Sequence, residues 1–557
     1  MKALKPLFLS FSLIATTLFA QDTSLDPFIF KYSTEELRQN YSKIQEERAQ
    51  RAIREMDSVI FHGKYKEDFA SLYEHPTPEW FKDANFGIEL NIGFYSATGV
   101  GIRGKAGNYY NDQYTDHMYT ALKDYHLEKY GDNVEKDDFI PLFTNKSLDA
   151  KKSMELFKKA GAKYFVMYTS HRSTGMLLWD SEHSFRNSVQ MPPFRDLTAE
   201  FGEAAKEFGL PYGVYLNLED SEYPIIDKRE NEQLKIRKWT VFETNSYPDN
   251  GSYEDLIPYD KEAYERRIQG KIPVHDYVED YLLPFSKELI DKYDPQYIWF
   301  DGGWKRPAWY YQSMKTVAYF YNKNEGRQDV LVNCRLGYDY YGILGDVAVS
   351  EGGSLDAGRV KIDLNEVPYW EENTPVGRNF GYDKAEDEGE IKVPGAEDLL
   401  KMLIRIVAKG GNLLLIVTPD SEGRIPEYQI NILEELGEWL SLNGESIYNT
   451  RTHPHFANET RFGRTAYYTR SKNGKFTYAI NTRFHTDAIV FHNINAKEGT
   501  EVKLIGHDEP LEWSNSRTGL IVIVPYELQE NLPCDHAWVF KIEEENIKES
   551  NERVLIE

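Results

Sequence analysis

The sequence predicts an α/β protein with a (β/α)8-like barrel followed by a C-terminal antiparallel β-sandwich. Three observations lead to this prediction. Short β-rich runs alternate with amphipathic stretches from about residue 85 to residue 419, this alternation gives seven or eight βα units, and short β-branched runs follow residue 449. Alternating strands and helices indicate parallel βα units, whereas short strands separated by Asn, Gly and Asp turns indicate a sandwich.

Short β-rich runs predict the strands of the barrel, and amphipathic stretches between them predict its helices. The predicted strands are 86–90, 164–168, 212–216, 297–300, 330–333, 346–349 and 412–417, and the predicted helices include 149–160, 197–208, 278–292, 310–321 and 396–408. Seven or eight units in about 350 residues favour a barrel over an open sheet. Residues 232–275, rich in Lys, Glu and Tyr, are predicted to be an insertion between two units.

The N-terminus has the pattern of a secretory signal peptide. Two lysines precede a short apolar run that ends at a small residue, and no cysteine follows it for lipid attachment. We therefore expect a periplasmic or secreted protein, and the lack of a later run of about 18 apolar residues predicts no membrane insertion. The predicted division is a signal peptide at 1–20, a barrel domain with an N-terminal helical extension at 21–448, and a sandwich domain at 449–557.

Charge and cysteine content exclude several classes of function. The chain has 65 basic and 90 acidic side chains and a formal net charge of −25. Nucleic acids and anionic lipids need clustered basic residues, so neither is an expected partner. Cys334 and Cys534 lack metal-ligand spacing; they either form one disulfide or remain buried thiols, and the thiols are favoured.

Two acidic residues follow predicted strands and are themselves followed by glycines. Asp301 directly follows the run 297–300 and precedes Gly302 and Gly303. Glu351 repeats the arrangement 50 positions later. In parallel α/β barrels the reactive groups gather where strands end. A pair of carboxylates there suits cleavage of a glycosidic bond, with one as nucleophile and the other as proton donor. The alternative is structural: each acid caps a helix or pairs with an arginine.

Around these residues, a series of short motifs occurs in a characteristic order. The motifs are Trp80–Ile88, Gly161–Val166, Leu178–Ser181, Gly213–Tyr215, Trp299–Gly302, Asn333–Arg335, Gly410–Leu415, Pro419–Gly423, Gly437–Leu440 and Asn443–Tyr448. In their order and spacing the chain resembles the α-L-fucosidases of glycoside hydrolase family 29, over residues 75–543.

The resemblance implies a retaining exo-glycosidase that uses no metal and no organic cofactor. It places Asp301 at the family's nucleophile and Glu351 at the acid/base position that many members use. Glu371 is the substitute if Glu351 points away from the site. The implied reaction releases a terminal α-L-fucose or fucose-like sugar from an oligosaccharide or polysaccharide.

The residues expected to hold the sugar depart from the family pattern. The family's His-Trp-Gly is here Asn91-Ile92-Gly93, its Glu-Trp-Tyr is residues 108–110 (Asn-Tyr-Tyr), and the Asn after Gly-Asn-Leu-Leu-Leu is Ile416. Its Lys-His-His-Asp-Gly is one residue longer in this chain and contains His171 and Arg172. We therefore expect a glycone other than plain fucose as an alternative: L-galactose, or a sulfated or methylated fucose.

Further residues have two interpretations each. Arg172 either binds an anionic substituent or pairs with Glu89 or Glu219, and Glu89 lies on the same strand face as Asn91. Four more candidates for sugar contact, each of which could instead be structural, are Tyr215, Trp304, Arg335 and Trp370. An alternative of another class is a catalytically silent carbohydrate-binding protein on the same scaffold.

Overall fold

The structure is a computed structural model. It describes residues 28–100, 128–131, 134, 136–171, 174–219, 223–224, 268–303, 306–327, 329–352, 369–460, 463–483 and 487–544. Several sequence predictions lie outside these residues. They are the signal peptide at 1–20, most of the insertion at 232–275, the segment 108–110, Arg172 and Trp304.

Within the described residues, eight parallel strands form one sheet in the order β5-β4-β3-β2-β1-β8-β7-β6. The strands are β1 Phe86–Leu90, β2 Phe165–Ser170, β3 Tyr212–Asn217, β4 Tyr297–Asp301, β5 Leu331–Val332, β6 Ala348–Glu351, β7 Trp370–Pro375 and β8 Gly411–Val417. Nearly all of their residues are buried, as expected for parallel strands covered by helices.

The two edge strands of this sheet, β5 and β6, meet and close the ring. We call this contact the seam. It consists of a bridge between Asn333 and Val347, with backbone hydrogen bonds from Cys334 N to Val347 O (2.9 Å) and from Asp346 N to Val332 O (3.0 Å). The predicted (β/α)8-like barrel is therefore confirmed.

The buried side chain of Asp346 reinforces the seam. One carboxylate oxygen accepts from Val332 N at 2.8 Å and from the Tyr321 hydroxyl at 2.7 Å, and the other lies 2.8 Å from His75 Nδ1. The ring of His75 stacks on Tyr321 with centroids 3.6 Å apart. One carboxylate thus ties strand β5 to a helix and to the segment that precedes the barrel.

Helices cover the outside of the barrel. They are α1 Thr34–His62, α2 Phe69–Tyr73, α3 Glu79–Ala84, α4 Tyr95–Thr98, α5 Ala150–Lys159, α6 Leu197–Phe208, α7 Leu283–Tyr293, α8 Ala308–Tyr311, α9 Ser313–Lys323, α10 Lys384–Asp387, α11 Ala396–Ala408 and α12 Glu427–Asn443. A π-helical turn, Val278–Leu282, leads into α7. No helix among the described residues combines the length and the apolar character needed to cross a membrane.

Helix α1 begins at a capping box. Glu36 N donates to Ser33 Oγ at 3.2 Å, and Ser33 N donates to the Glu36 carboxylate at 2.8 Å. This reciprocal pair satisfies two backbone donors at the helix start. The helix buries Leu37, Met56 and Ile60 along one face and packs against α7 and α9, so the N-terminal extension contains a helix, as expected from the sequence.

The C-terminal part forms two antiparallel sheets. One has the strand order β13-β16-β11-β10-β9 and the other β12-β15-β14. The strands are β9 Thr450–Thr460, β10 Gly463–Ser471, β11 Phe476–Asn481, β12 Ala488–His492, β13 Lys503–Leu504, β14 Trp513–Ser516, β15 Gly519–Ile523 and β16 Trp538–Glu543, with helix α13 at Tyr526–Gln529. Phe491, Val522 and Phe540 are buried between the sheets, which confirms the sandwich.

One strand of the barrel was not predicted from the sequence, whereas the state of the two cysteines was. Strand β7 corresponds to none of the predicted strands, because its residues Trp370–Pro375 are mostly polar. Cys334 and Cys534 are both free thiols, as the favoured prediction has it, but only Cys334 is buried and Cys534 is half-buried. Burial raises the pKa of both thiols, so they remain protonated at neutral pH.

Candidate active site

Asp301 lies at the carboxyl end of β4, where the chain turns away sharply. The strand places four buried apolar or aromatic residues before it, and Asp301 itself is 8% exposed. Gly302 and Gly303 follow with φ of 78° and 76°. This left-handed backbone is strained for other residues, so the two glycines allow the turn that leaves the Asp301 carboxylate at the barrel mouth.

Four side chains from three other strand ends surround the Asp301 carboxylate. Oδ2 accepts hydrogen bonds from the Tyr215 hydroxyl at 2.5 Å and from Asn217 Nδ2 at 3.2 Å, and His171 Nε2 lies 3.5 Å from it. Oδ1 accepts from Arg335 Nη1 at 2.8 Å. Both oxygens are therefore fixed in position.

The same contacts set the protonation state of Asp301. Burial raises its pKa, but Arg335, His171 and the Tyr215 hydroxyl together outweigh burial and hold the pKa below the usual aspartate value. A carboxylate next to an arginine and accepting several hydrogen bonds is favoured in its ionised form. Asp301 is therefore an anion at neutral pH.

Glu351 lies close to Asp301 and shares a hydrogen-bond donor with it. Arg335 Nη1 donates to Glu351 Oε1 at 2.5 Å and to Asp301 Oδ1 at 2.8 Å. Because both bonds come from one nitrogen, the two acceptor oxygens are at most about 5.3 Å apart (2.5 Å plus 2.8 Å). The side chain of Glu351 is 37% exposed, so this carboxylate faces the open end of the site.

Arg335 is held rigidly below the two carboxylates. Its guanidinium lies 4.6 Å from the centre of the Trp299 ring, which stacks in turn on Tyr215 with centroids 4.9 Å apart. Burial lowers the pKa of Arg335, but Glu351 and Asp301 raise it well above the ordinary value. The arginine is a permanent cation that aligns both carboxylates.

Glu371 lies deeper, inside the barrel. Its carboxylate accepts from the Tyr164 hydroxyl at 2.6 Å, from Trp299 Nε1 at 2.8 Å and from the Tyr297 hydroxyl at 3.2 Å. Gly87 makes room for Tyr164, because a Cβ there would lie 2.3 Å from the tyrosine ring. Burial raises the pKa of Glu371 to about 7, although the three donors lower it in part.

Glu89 is a second carboxyl buried inside the barrel. It is 1% exposed, and Asn373 Nδ2 donates to its Oε2 at 3.1 Å. Burial raises its pKa well above the ordinary value, and the charges of Glu351, Glu371 and Asp301 raise it further. Burial and neighbouring negative charges both favour the protonated form of a carboxyl.

The structure brings most of the predicted site residues together. Asp301, Glu351, His171, Tyr215 and Arg335 form one connected group. Asn91 lies at the end of neighbouring β1, where its Oδ1 accepts from the Tyr95 hydroxyl at 2.5 Å.

Trp370 is not part of this group. Its side chain is buried against the backbone of Gly411, and its indole N–H donates to Lys409 O at 3.3 Å. Glu371, the next residue, points to the opposite side of strand β7, into the barrel. The indole therefore fills space outside the ring of strands.

Three polar residues at the mouth were not among the predicted site residues. Asn217 contacts Asp301, Asn373 contacts Glu89, and Glu219 accepts from the Tyr311 hydroxyl at 2.7 Å. The signal for Asn217 was present in the sequence, because alternate residues of a strand share a face and Asn217 lies two positions after Tyr215.

The family models match almost the whole described chain. The model of the alpha-L-fucosidases matches residues 52–445, and the model of the alpha-L-fucosidase C-terminal domain matches residues 458–543. Their division agrees with the barrel and the sandwich in the structure.

Known proteins show the same similarity over their full length. The plasma alpha-L-fucosidase of Rattus norvegicus is 27% identical over 485 residues, which cover 86% of this chain and 94% of the rat protein. The alpha-L-fucosidase of Dictyostelium discoideum is also 27% identical, over 497 residues. The crystal structure of Thermotoga maritima alpha-fucosidase in complex with a mechanism-based inhibitor has 28% identity and a TM-score of 0.67, and the match covers 86% of this chain and 100% of that one.

The family model spans well over half of the sequence, and the carboxylate pair lies at the strand ends where a barrel carries its chemistry. The chain therefore belongs to the alpha-L-fucosidase family and is a glycoside hydrolase.

Proposed function

We propose that this protein is a retaining exo-glycosidase that releases a terminal α-L-fucose or fucose-like sugar from an extracellular oligosaccharide or polysaccharide. Asp301 is the nucleophile and Glu351 is the acid/base residue. The observation that carries the proposal is the Arg335 guanidinium, which hydrogen-bonds both carboxylates from a single nitrogen.

In the first step an Asp301 oxygen attacks the anomeric carbon and forms a glycosyl ester. The bond between that carbon and the leaving oxygen breaks, and Glu351 donates a proton to this oxygen. The lowered pKa of Asp301 supports the nucleophilic role. The partly exposed position of Glu351 at the mouth supports contact with the leaving group.

In the second step Glu351 accepts a proton from a water molecule, which attacks the anomeric carbon and breaks the ester. Two inversions at the same carbon give net retention of configuration. Retaining pairs are about 5–5.5 Å apart, whereas inverting pairs are about 6.5–9.5 Å apart to make room for water. The upper limit of about 5.3 Å between Asp301 Oδ1 and Glu351 Oε1 supports the retaining mechanism.

The place of action follows from the N-terminal sequence. The positive start and short apolar run of residues 1–20 support export, to the periplasm or out of the cell. An exported glycoside hydrolase meets glycans outside the cytoplasm, and we propose these as its substrates.

A second candidate substrate class is favoured by residues of the neighbouring strands β1 and β8. Asn91 and Ile416 differ from the family pattern, and Glu89 adds a carboxyl below them. These changes favour a fucose-configured sugar with an altered substituent, such as an α-L-galactoside or a modified α-L-fucoside.

The mechanism is tested by trapping the glycosyl ester. The protein is treated with 2-deoxy-2-fluoro-α-L-fucosyl fluoride, digested and mapped by mass spectrometry, with the corresponding L-galactosyl reagent in parallel. We expect the label on Asp301. In a separate hydrolysis of an α-L-glycoside followed by NMR, we expect the first sugar product to have the α configuration. A label on another residue, or a β product, would refute the proposed mechanism.

A further inference from the structure

Glu89 is a buried carboxyl at the reaction centre that the mechanism does not use. It lies on β1, where its neighbours in register are Val166 on β2 and Ile416 on β8. Alternate residues of a strand share a face, so Glu89 lies on the same side of β1 as Asn91, one step deeper in the barrel. It is close enough to Glu351 and Asp301 for their charges to act on it.

The hydrogen-bonding capacity of Glu89 is mostly unused. Within the described part of the chain, its one hydrogen-bond partner is Asn373 Nδ2 at 3.1 Å. A protonated carboxyl has one O–H donor and further acceptor sites, and burial raises the pKa of Glu89 and so favours this form. Leaving a buried donor unpaired costs about 1–3 kcal/mol.

Glu371, the other carboxyl inside the barrel, differs in this respect. It accepts from Tyr164, Tyr297 and Trp299, so its oxygens are occupied by the protein. Glu89 is therefore the buried carboxyl of this cluster with capacity left for a ligand.

We propose that Glu89 contacts the glycone and selects a fucose-configured sugar that carries one more hydroxyl, so that α-L-galactosides are the preferred substrate class. This inference rests on the proposed glycosidase function. L-Fucose is 6-deoxy-L-galactose, and the two sugars differ by a single hydroxyl on carbon 6. That hydroxyl pairs with Glu89, whereas a methyl group in its place leaves the carboxyl unpaired.

The alternative substituents fit this cluster less well. A sulfate near Glu89 is repelled by the anion of Asp301 and lies close to the carboxyls of Glu351 and Glu371. Arg335 does not compensate for this, because it is already paired with Asp301 and Glu351. A methyl ether lacks a donor and adds bulk beside Ile416. An added hydroxyl both donates and accepts, so it matches a protonated carboxyl.

The test compares 4-nitrophenyl α-L-galactoside with 4-nitrophenyl α-L-fucoside. A site built to bind a hydroxyl rejects the analogue that lacks it, and one lost hydrogen bond to a buried group corresponds to about a tenfold to hundredfold effect. We expect wild-type kcat/KM to be at least about tenfold higher for the galactoside. Glu89→Leu should lower this ratio by at least about tenfold, and Glu89→Gln, which keeps a donor, should preserve most of it.

Glu386→Gln is the matched control. Glu386 is also a buried carboxyl whose pKa burial raises to about 7, but it is bound by Asn379, Tyr428 and the backbone of Arg378, away from Asp301. This variant should leave the substrate ratio unchanged. Thermal melts of all three variants separate loss of folding from loss of selectivity.

The outcomes separate this inference from the proposed function. A wild-type protein that hydrolyses the fucoside equally well or better overturns the role of Glu89 and leaves the glycosidase proposal intact, and this result needs no variant. An unchanged ratio in folded Glu89→Leu does the same. Failure of the wild type to hydrolyse either glycoside overturns both proposals.

Discussion

The Tyr215 hydroxyl donates to Asp301 Oδ2 at 2.5 Å, across the neighbouring strands β3 and β4. The contact follows from the parallel register, in which Asn217 is paired with Asp301 and Tyr215 with Trp299. Tyr215 therefore lies one step below Asp301 on the same face and reaches up to it. The bond orients the Asp301 carboxylate and favours its ionised form.

Tyr215→Phe should impair the nucleophile without removing it. Loss of the phenolic donor raises the pKa of Asp301, because that bond is one of the interactions that lower it. The acid limb of the kcat/KM profile should move to higher pH, and kcat/KM at the optimum should fall about tenfold to a hundredfold, as for a hydrogen bond to a charged group. An acid limb at the wild-type pH would contradict this role of Tyr215.

Asp301→Asn should abolish turnover and preserve binding. The amide keeps the size of the side chain and an oxygen acceptor for Arg335, but it cannot form a glycosyl ester. We expect kcat to fall by at least about 10³-fold, since nucleophile and catalytic base act as one unit. Calorimetry with the neutral monosaccharide product, which needs no charge on residue 301, should give an affinity close to that of the wild type. A variant that retains activity would refute Asp301 as nucleophile.

Glu351→Ala should separate the two chemical steps. Without a proton donor, substrates with poor leaving groups should lose about 10²–10⁴-fold in kcat/KM, whereas aryl glycosides with acidic phenols should lose far less. Azide should restore turnover by attacking the glycosyl ester without base assistance, and the product should be the α-glycosyl azide. Glu371→Gln is the comparison variant. If azide restores turnover of Glu371→Gln but not of Glu351→Ala, the acid/base role belongs to Glu371.

Glu371 should make the protein less stable as pH rises toward neutrality. Its pKa is about 7 in the folded protein, against about 4.3 in the unfolded chain. Between these two pH values the folded state holds a proton that the unfolded state has lost. The contribution of Glu371 to stability is therefore fully present below about pH 4.3 and is lost as pH rises to about 7. Glu371→Gln should flatten the decline of Tm across this range, because the amide does not titrate.

Glu79→Gln is the control for that experiment. Glu79 is exposed, and hydrogen bonds from Lys82 and Lys472 lower its pKa to about 2. Its contribution is present above the unfolded pKa and is lost as pH falls toward 2, which is the opposite direction. The slope of Tm between about pH 4.3 and 7 should be unchanged in this variant. If Glu371→Gln keeps the wild-type slope of Tm against pH, the raised pKa of Glu371 is contradicted.

Asp346→Ala should destabilise the barrel. The substitution leaves Val332 N and the Tyr321 hydroxyl without their acceptor and His75 without its partner. Loss of one member of a buried ionic and hydrogen-bonded network costs about 3–5 kcal/mol. Urea unfolding should report this loss. Asp508→Ala, on the sandwich surface, is the control and should change stability by less than about 0.5 kcal/mol.

The sequence predicted the strands that are apolar and missed those that are not. Strand β4 is a run of aromatic and aliphatic residues that ends at Asp301, so its end and its acid were both visible. Strand β7 reads Trp-Glu-Glu-Asn-Thr-Pro and gives no hydrophobic signal. Its inward residues Glu371 and Asn373 are polar because they line a polar cavity, and neighbouring strands supply their partners.

The site was predictable where chemistry restricts the residue type. Cleavage of a glycosidic bond commonly uses two carboxyls, which singled out Asp301 and Glu351 as candidates, and the structure places these two carboxylates close together. The contact of Arg335 with both carboxylates depends on how far β5 and β6 approach across the seam, and this distance has no sequence signal. Trp370 shows the converse limit, because a tryptophan near a site can equally pack outside the barrel.

The seam also links barrel geometry to reaction geometry. Arg335 follows β5 and Glu351 ends β6, so the gap between the Glu351 and Asp301 carboxylates depends on a few backbone hydrogen bonds and on Asp346, which lies beside these two strands. Substitutions near Asp346, far from any bound sugar, can therefore shift the two carboxylates by fractions of an ångström. Such a shift changes the catalytic rate. Laboratory evolution of this enzyme should accumulate changes around Asp346 as well as in the pocket.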